Sequence, residues 1–148
     1  MGKIKDSGDR RQFETGAVRD MAVGKGRCDL LPLDVVGNLP GYSGVIRCVN
    51  NFLHFENTTH LYNALHHFCE ECYEGSYETM LLEVAKHFED GAAKYQPDNW
   101  KKGIPTWCYI DSAIRHYLKW KRGDNDEFHC RSFVWNILCC IWEVDYHD

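Results

Sequence analysis

The hydrophobic pattern of the chain is helical over much of its length. Apolar residues recur at intervals of three and four from about Thr58 to Tyr73 and from about Tyr77 to Tyr95. This spacing places them on one face of each helix. Pro97 ends the second segment, because proline cannot continue a helix. No β-type alternation of useful length is present, so the sequence predicts a mostly α fold.

Two further helices are predicted near the C-terminus, on either side of a turn at Gly123. The third helix begins after Pro105 and ends at Gly123, since glycine is favoured just past a helix end. Asp124 can then cap a fourth helix, with Glu127 three residues later at the capping-box spacing. The four segments together predict a compact helical bundle of about four main helices.

The N-terminal part of the sequence is less regular. Residues 1–12 are polar and charged, and we expect a flexible terminus there. The segment 13–32 is rich in glycine and arginine, which favours an irregular loop. Residues 33–51 mix glycines and a proline with short apolar groups, and allow a short helix and a turn without a firm assignment. We interpret 13–148 as a single helical domain.

Composition narrows the classes of function. A net charge of -5 argues against a nucleic-acid polymer as the partner. No apolar run approaches a membrane span, and the N-terminus lacks the apolar stretch of a secretory signal. We therefore expect a cytoplasmic protein without a membrane partner. The eight cysteines are interpreted as reduced, although the Cys69–Cys72 CxxC leaves a zinc or redox role as an alternative.

Acidic and imidazole groups concentrate in the last two predicted helices. Asp126 and His129 stand one helical turn apart, where both can reach one cation or one water molecule. His116 can approach them across the Gly123 turn. We therefore predict His116, His129 and Asp126 as catalytic residues. The alternative is that the acidic residues only favour the start of a helix through its dipole.

Cationic residues occur in two further places. Arg19, Lys25 and Arg27 lie among glycines, and flexible backbone N–H groups beside cations suit phosphate. The spacing is not that of a Walker A loop. Arg115 follows Asp111 by four residues on the third helix, which we interpret as an ordinary helix-stabilising pair of modest strength.

Four segments of the chain carry a family resemblance: ETGAVRD, GKGRCDLLP, FEDGAAKYQPDNWKKGIP, and DSAIRHYLKWKRGDNDEFH with a later WN. Their combination resembles the small phage and prophage proteins of the dATP/dGTP diphosphohydrolase N-terminal family. The resemblance covers nearly the whole chain apart from residues 1–12 and 37–78. The second of these stretches is interpreted as an insertion or a divergent segment.

The resemblance implies a phage-type (deoxy)nucleoside triphosphate pyrophosphohydrolase in the host cytoplasm. It is similar in theme to the MazG-like all-α enzymes, which use Mg²⁺ (or Mn²⁺) to convert a dATP- or dGTP-like substrate to monophosphate and pyrophosphate. Those enzymes hold the metal through an ExxE…ExxD arrangement, of which this chain has no clean copy. The nearest candidates for metal ligands are Glu89, Asp126 and Glu127.

The same resemblance gives an expected set of substrate contacts. The residues expected to bind phosphate are Arg19, Lys25, Arg27, Lys94 and Arg115. Trp100 or Trp135 would stack on the base, with packing in the core as the alternative, and Asn99 or Asn136 would read its edge. A homo-oligomer is also expected. Two other functions stay open: a non-catalytic nucleotide-binding protein that sequesters a signalling nucleotide or regulates a partner, and a helical interaction protein.

Overall fold

The computed structural model describes residues 10–20 and 23–147, and within them the predicted mostly α fold is confirmed. The helices are α1 (Leu33–Val36), α2 (Val45–Phe55), α3 (Thr59–Tyr73), α4 (Tyr77–Lys94), α5 (Thr106–Arg122) and α6 (His129–Tyr146). Short 3₁₀ turns lie at Cys28–Leu30 and Asn99–Lys102. A two-stranded antiparallel sheet joins β1 (Arg10–Gln12) to β2 (Val18–Asp20).

Three of the four predicted helices are confirmed as α3, α4 and α5, with ends within about a residue of those expected. The Ser76 side chain accepts a hydrogen bond from the Thr79 amide and caps the start of α4. Gly123 ends α5 at a φ of 90°, in the left-handed region that glycine adopts without steric cost.

The predicted start of the fourth helix at Asp124 is wrong, since α6 begins at His129. Asp124 instead accepts hydrogen bonds from Arg122 across the turn. Glu127 is buried and lies before the helix rather than in its first turn. The residues that looked like a capping box therefore form a polar connection between α5 and α6.

The N-terminal part of the described chain is more regular than the sequence indicated. Residues 10–12 form β1 rather than a frayed end, while residues 1–9 lie outside the described part of the chain. The segment 33–51 contains α1 and most of α2, whose Val45, Ile46 and Val49 are fully buried. Glycines before α2 hid this helix from the sequence pattern, because they weaken the helical signal on which the prediction rested.

The core lies where α6 packs against α5 and α4, while α2 and α3 pack against each other. The Phe68 ring lies 4.4 Å from Phe133 and 5.9 Å from Tyr117, measured between centroids. Arg19 on β2 bonds to side chains of α5 and α6, so the small sheet is attached to this helical layer. None of the eight cysteines forms a disulfide. Among the described residues, no helix is long and apolar enough to cross a membrane.

Candidate functional site

A cavity of about 530 Å³ lies among β2, α4, α5 and α6. This volume is within the range of small-molecule sites. Among the described side chains, six cationic residues line it: Arg11, Arg19, Lys25, Lys94, Arg115 and Lys119. The carboxylates in that described lining are those of Asp98 and Glu127. Because the chain as a whole carries a net charge of -5, this is a strong local reversal of sign that suits a polyanionic ligand.

Arg19 reaches the cavity from β2 and is held by neutral groups. Its Nη2 donates to the Ser112 hydroxyl at 2.8 Å and to the Asn136 side-chain oxygen at 3.2 Å. The guanidinium carbon lies 5.3 Å from the Tyr109 ring centroid. Nη1 is buried without a hydrogen-bond partner, and burial lowers the pKa of Arg19. No carboxylate among the described side chains pairs with this charge, so an anionic ligand would stabilise it.

Arg115 is buried beside a carboxylate. Its Nη2 donates to Asp111 at 2.6 Å and to the carbonyl of Gly26 at 2.8 Å. Asp111 is completely buried and also accepts from the Cys28 amide at 2.7 Å. The interpretation of Asp111–Arg115 as a modest exposed pair is therefore wrong. The pair attaches the glycine-rich loop to α5 and leaves Arg115 mostly neutralised.

The predicted catalytic residues come together beside the cavity, and His116 is the member of the group that lines it. His129 Nε2 lies 2.7 Å from an Asp126 carboxylate oxygen, and His129 Nδ1 lies 2.9 Å from His116 Nδ1. A carboxylate accepts hydrogen bonds, so His129 donates through Nε2, which in the neutral ring leaves the lone pair on Nδ1. Burial, and then His129, lower the pKa of His116 well below its usual value, so this imidazole is neutral at neutral pH.

Two overlapping groups of side chains have potential metal-ligand atoms within 4.8 Å of one another. One consists of His116, Glu127 and His129, and the other of Asp124, Asp126 and His129. The first group is the more buried, and His116 and Glu127 also line the cavity. The second group is at the outer surface of the α5–α6 connection.

The residues expected to contact the base differ in their surroundings: the tryptophans line the cavity, and the asparagines are hydrogen-bonded within the protein. Trp100 and Trp135 both line the cavity and are partly buried, so the structure is compatible with stacking as well as with packing. Asn99 exchanges two hydrogen bonds with the Val18 backbone, at 3.0 and 2.8 Å, and thereby fixes β2 at the cavity. Asn136 donates to the Ser132 carbonyl at 2.8 Å while holding Arg19. Both amides are thus engaged within the protein.

Two predicted site residues lie outside this arrangement. Glu89 is exposed, does not line the cavity and belongs to neither group of potential metal-ligand atoms, so the structure does not place it with Asp126 and Glu127. Arg27 is also absent from the lining. It makes two hydrogen bonds with Asp29, and its guanidinium carbon lies 4.0 Å from the Trp107 ring centroid.

His87 is a cavity residue that the sequence analysis did not identify. It is 7% exposed, and its Nδ1 is buried without a hydrogen-bond partner. Burial first, and then the positive charge of Arg131, lower the pKa of His87 to about 3. Its position on the helical period of Met80 and Val84, both buried, is the signal that could have found it.

Comparison with known proteins finds a family match over the C-terminal part of the chain. Residues 77–147 match the family described as dATP/dGTP diphosphohydrolase, N-terminal. The matched residues span α4, α5 and α6, the helices that form most of the cavity, and do not include β2 or the loop that carries Lys25. No curated protein and no solved structure matches the chain. The family resemblance is therefore confirmed for this part.

Proposed function

We propose, from the membership of residues 77–147 in the dATP/dGTP diphosphohydrolase N-terminal family, that the protein hydrolyses a deoxynucleoside triphosphate to monophosphate and pyrophosphate in this cavity. The observation that carries the proposal is the cavity's positive charge, and above all the buried, unpartnered Nη1 of Arg19. A triphosphate supplies several negative charges and many acceptor oxygens, which satisfy arginine better than water can at a buried position.

The cationic side chains divide between two kinds of role. Arg115 is held by Asp111 and orients the glycine-rich loop that carries Lys25 to the cavity. Both arginines keep one buried donor without a partner, Nε of Arg115 and Nη1 of Arg19, but Arg19 has no carboxylate partner among the described side chains and so keeps its charge for the ligand. The polyphosphate would lie between Arg19 and Lys119, with the base towards Trp135, whose ring also lies beside Arg19 at 5.8 Å.

The reaction itself breaks the bond between the α-phosphorus and the bridging oxygen. A water molecule attacks the α-phosphorus, its proton passes to a base, and pyrophosphate leaves with the bridging oxygen. The cluster of His116, Glu127 and His129 is the reaction centre in this proposal, because His116 and Glu127 face the same cavity as the cations. Positioned groups of these types accept protons and hold water.

The Mg²⁺ that the family theme implies does not fit the three carboxylates expected to hold it. Mg²⁺ takes oxygen ligands in near-octahedral geometry. Glu89 is exposed outside the cavity, and an Asp126 oxygen lies 2.7 Å from His129 Nε2. We therefore assign no step to an ion held by these carboxylates.

The activity is tested by incubating the purified protein with each deoxynucleoside triphosphate and Mg²⁺ or Mn²⁺, and separating the products by chromatography. We expect a purine monophosphate and pyrophosphate in equal amounts. Turnover should be lost in Glu127→Gln and retained in Glu83→Gln, a matched change at an exposed pair with Lys86. Equal turnover in both variants would indicate a contaminating phosphatase and contradict the assignment of the reaction centre.

Glu89, an expected metal ligand, is exposed and lies outside the cavity lining. This favours a second candidate function, that of a non-catalytic nucleotide-binding protein. The cationic cavity would then bind the triphosphate without breaking it. Calorimetric titration with the same nucleotides separates the two functions. Tight binding with the ligand recovered intact would select this candidate, whereas product formation would eliminate it.

A further inference from the structure

The geometry points to a site for a divalent first-row transition metal ion, bound by Nδ1 of His116, Nδ1 of His129 and a carboxylate oxygen of Glu127. This inference deepens the proposed function, because the ion would lie at the reaction centre of the same cavity. The proposed ligands are two nitrogens and one oxygen. They replace the three carboxylates of Glu89, Asp126 and Glu127 that were expected to hold the metal.

The spacing of the ligand atoms fits a single ion. The two Nδ1 atoms lie 2.9 Å apart. Two imidazole nitrogens bound to one ion at about 2.0–2.1 Å are separated by about 2.9–3.4 Å for angles of about 90–109°. One potential ligand atom of each of His116, Glu127 and His129 lies within 4.8 Å of the others, whereas atoms on opposite sides of such an ion are about 4.2 Å apart. A small movement of the Glu127 side chain therefore completes the set.

Asp126 supports the same assignment from outside the ligand set. Its carboxylate accepts from Nε2 of His129 at 2.7 Å, which fixes the ring so that Nδ1 carries the lone pair towards His116 and Glu127. A carboxylate that orients a metal-binding histidine through its other ring nitrogen is a common feature of such sites. Thus Asp126 is a positioning residue in this inference rather than a ligand.

The neighbouring group of Asp124, Asp126 and His129 is a weaker alternative for the ion. Asp124 is hydrogen-bonded to the Arg122 guanidinium, which also holds the pKa of Asp124 below its usual value. Asp126 is exposed, whereas His129 and Glu127 are buried. His116 and Glu127 of the first group also line the cavity, where an ion can contact a bound nucleotide. These differences favour the site formed by His116, Glu127 and His129.

The chemistry of the donors indicates the class of ion. Imidazole suits Zn²⁺, Co²⁺, Ni²⁺ and Fe²⁺, whereas Mg²⁺ prefers oxygen ligands and retains water. A site with two nitrogens and one carboxylate should therefore prefer a transition metal to Mg²⁺. In the absence of an ion, one proton between the two Nδ1 atoms would satisfy both rings, and this hydrogen bond is the competing explanation of their distance.

Co²⁺ is the probe that separates these explanations, because its visible spectrum reports its ligands. We expect chelator-treated protein to bind one equivalent of Co²⁺ that excess Mg²⁺ does not displace. Affinity should fall at least about tenfold in His116→Gln and in Glu127→Gln, and in Asp126→Asn by about 10–100-fold with the stoichiometry kept. Glu89→Gln and His54→Gln, both at exposed positions, should bind Co²⁺ like the wild type.

Three results would overturn the inference. They are no Co²⁺ binding to the folded wild type, unchanged binding in both His116→Gln and Glu127→Gln, or a thiolate-to-metal charge-transfer band that assigns the ion to cysteines. Circular dichroism of each variant confirms folding, and the partly exposed His116 makes that variant the less disruptive of the histidine changes. Titration of the metal-free protein with a non-hydrolysable triphosphate tests the proposed function separately, since phosphate contacts to Arg19 do not need the ion.

Discussion

Arg115 and Arg19 reach the same cavity from two regions that balance charge in opposite ways. In the loop-and-α5 region, Arg115 bonds to the fully buried Asp111, so the charge is compensated within the protein. In the second region, around β2, Arg19 bonds to the Ser112 hydroxyl of α5 and the Asn136 amide of α6, so its charge is uncompensated and its Nη1 has no partner. The comparison teaches that the first region is built for structure and the second for a ligand.

The largest expected loss of stability comes from removing the carboxylate that compensates Arg115. Asp111→Asn removes the charge opposite Arg115 and weakens the acceptor for the Cys28 amide. Removing one partner of a buried pair typically costs about 3–5 kcal/mol, and we expect a loss of that order in the free energy of unfolding measured with urea. Asp124→Asn is the control, because its pair with Arg122 is at the exposed turn. Equal losses in the two variants would contradict the comparison.

A substitution in the uncompensated region around Arg19 should alter nucleotide affinity more than the free energy of unfolding. Arg19→Met keeps a long side chain but removes the charge. Hydrogen bonds to charged groups contribute about 1.5–3 kcal/mol, so we expect affinity for a non-hydrolysable deoxynucleoside triphosphate to fall about 10–150-fold in calorimetry. The free energy of unfolding should fall by less than in Asp111→Asn, since no buried carboxylate loses a partner and only the Ser112 hydroxyl and the Asn136 oxygen lose a donor.

Arg47→Met is the matched control for this change, because Arg47 is exposed on α2 and bonds only to Asn38 among the contacts described for it. We expect its nucleotide affinity to equal that of the wild type. If Arg19→Met destabilised the protein as much as Asp111→Asn while binding nucleotide normally, Arg19 would be structural and the two regions would not differ.

The helices could be predicted where periodicity and breakers agreed. The sequence placed α3, α4 and α5 because regular apolar spacing is bounded there by Pro97, Pro105 and Gly123. It misplaced the start of α6 because Asp124 and Glu127 have capping-box spacing whether or not a helix follows. It missed most of α2, since glycines interrupt the pattern just before that helix.

The candidate site was only partly accessible to sequence reasoning. His116, His129 and Asp126 were grouped correctly because a short turn necessarily brings the facing ends of two helices together. An i, i+4 pair such as Asp111 and Arg115 does not reveal its burial, which depends on a loop far away in sequence. The same limitation explains why Glu89 was wrongly grouped with Asp126 and Glu127 of the α5–α6 connection.

The positive charge around Arg19 can also be tested through His87, by measuring how the free energy of unfolding changes with pH. Its folded pKa of about 3 is below the ordinary value of 6.5, so the unfolded chain binds a proton first as the pH falls. Stability should therefore decrease below about pH 6.5, by up to about 1.4 kcal/mol per pH unit for this group. His87→Leu should flatten the profile of unfolding free energy between pH 7 and 5 by that amount.

The charges that disfavour the protonated His87 come from Arg131, Arg19 and Lys94 on three different elements. His54→Gln, at the exposed end of α2, is the control and should follow the wild-type profile. An unchanged slope in His87→Leu would show that other groups, such as His116, determine the acid sensitivity.

Arg27 should give the smallest effect, although the sequence placed it beside Arg19 as a phosphate ligand. Its guanidinium is bound to Asp29 and stacked on Trp107, and the residue does not line the cavity. An exposed charge already paired with a carboxylate is largely screened from a ligand at a distance. We therefore expect Arg27→Ala to change triphosphate affinity by less than about twofold at physiological ionic strength. A loss as large as that of Arg19→Met would mean that the loop rearranges and brings Arg27 into the cavity when ligand binds.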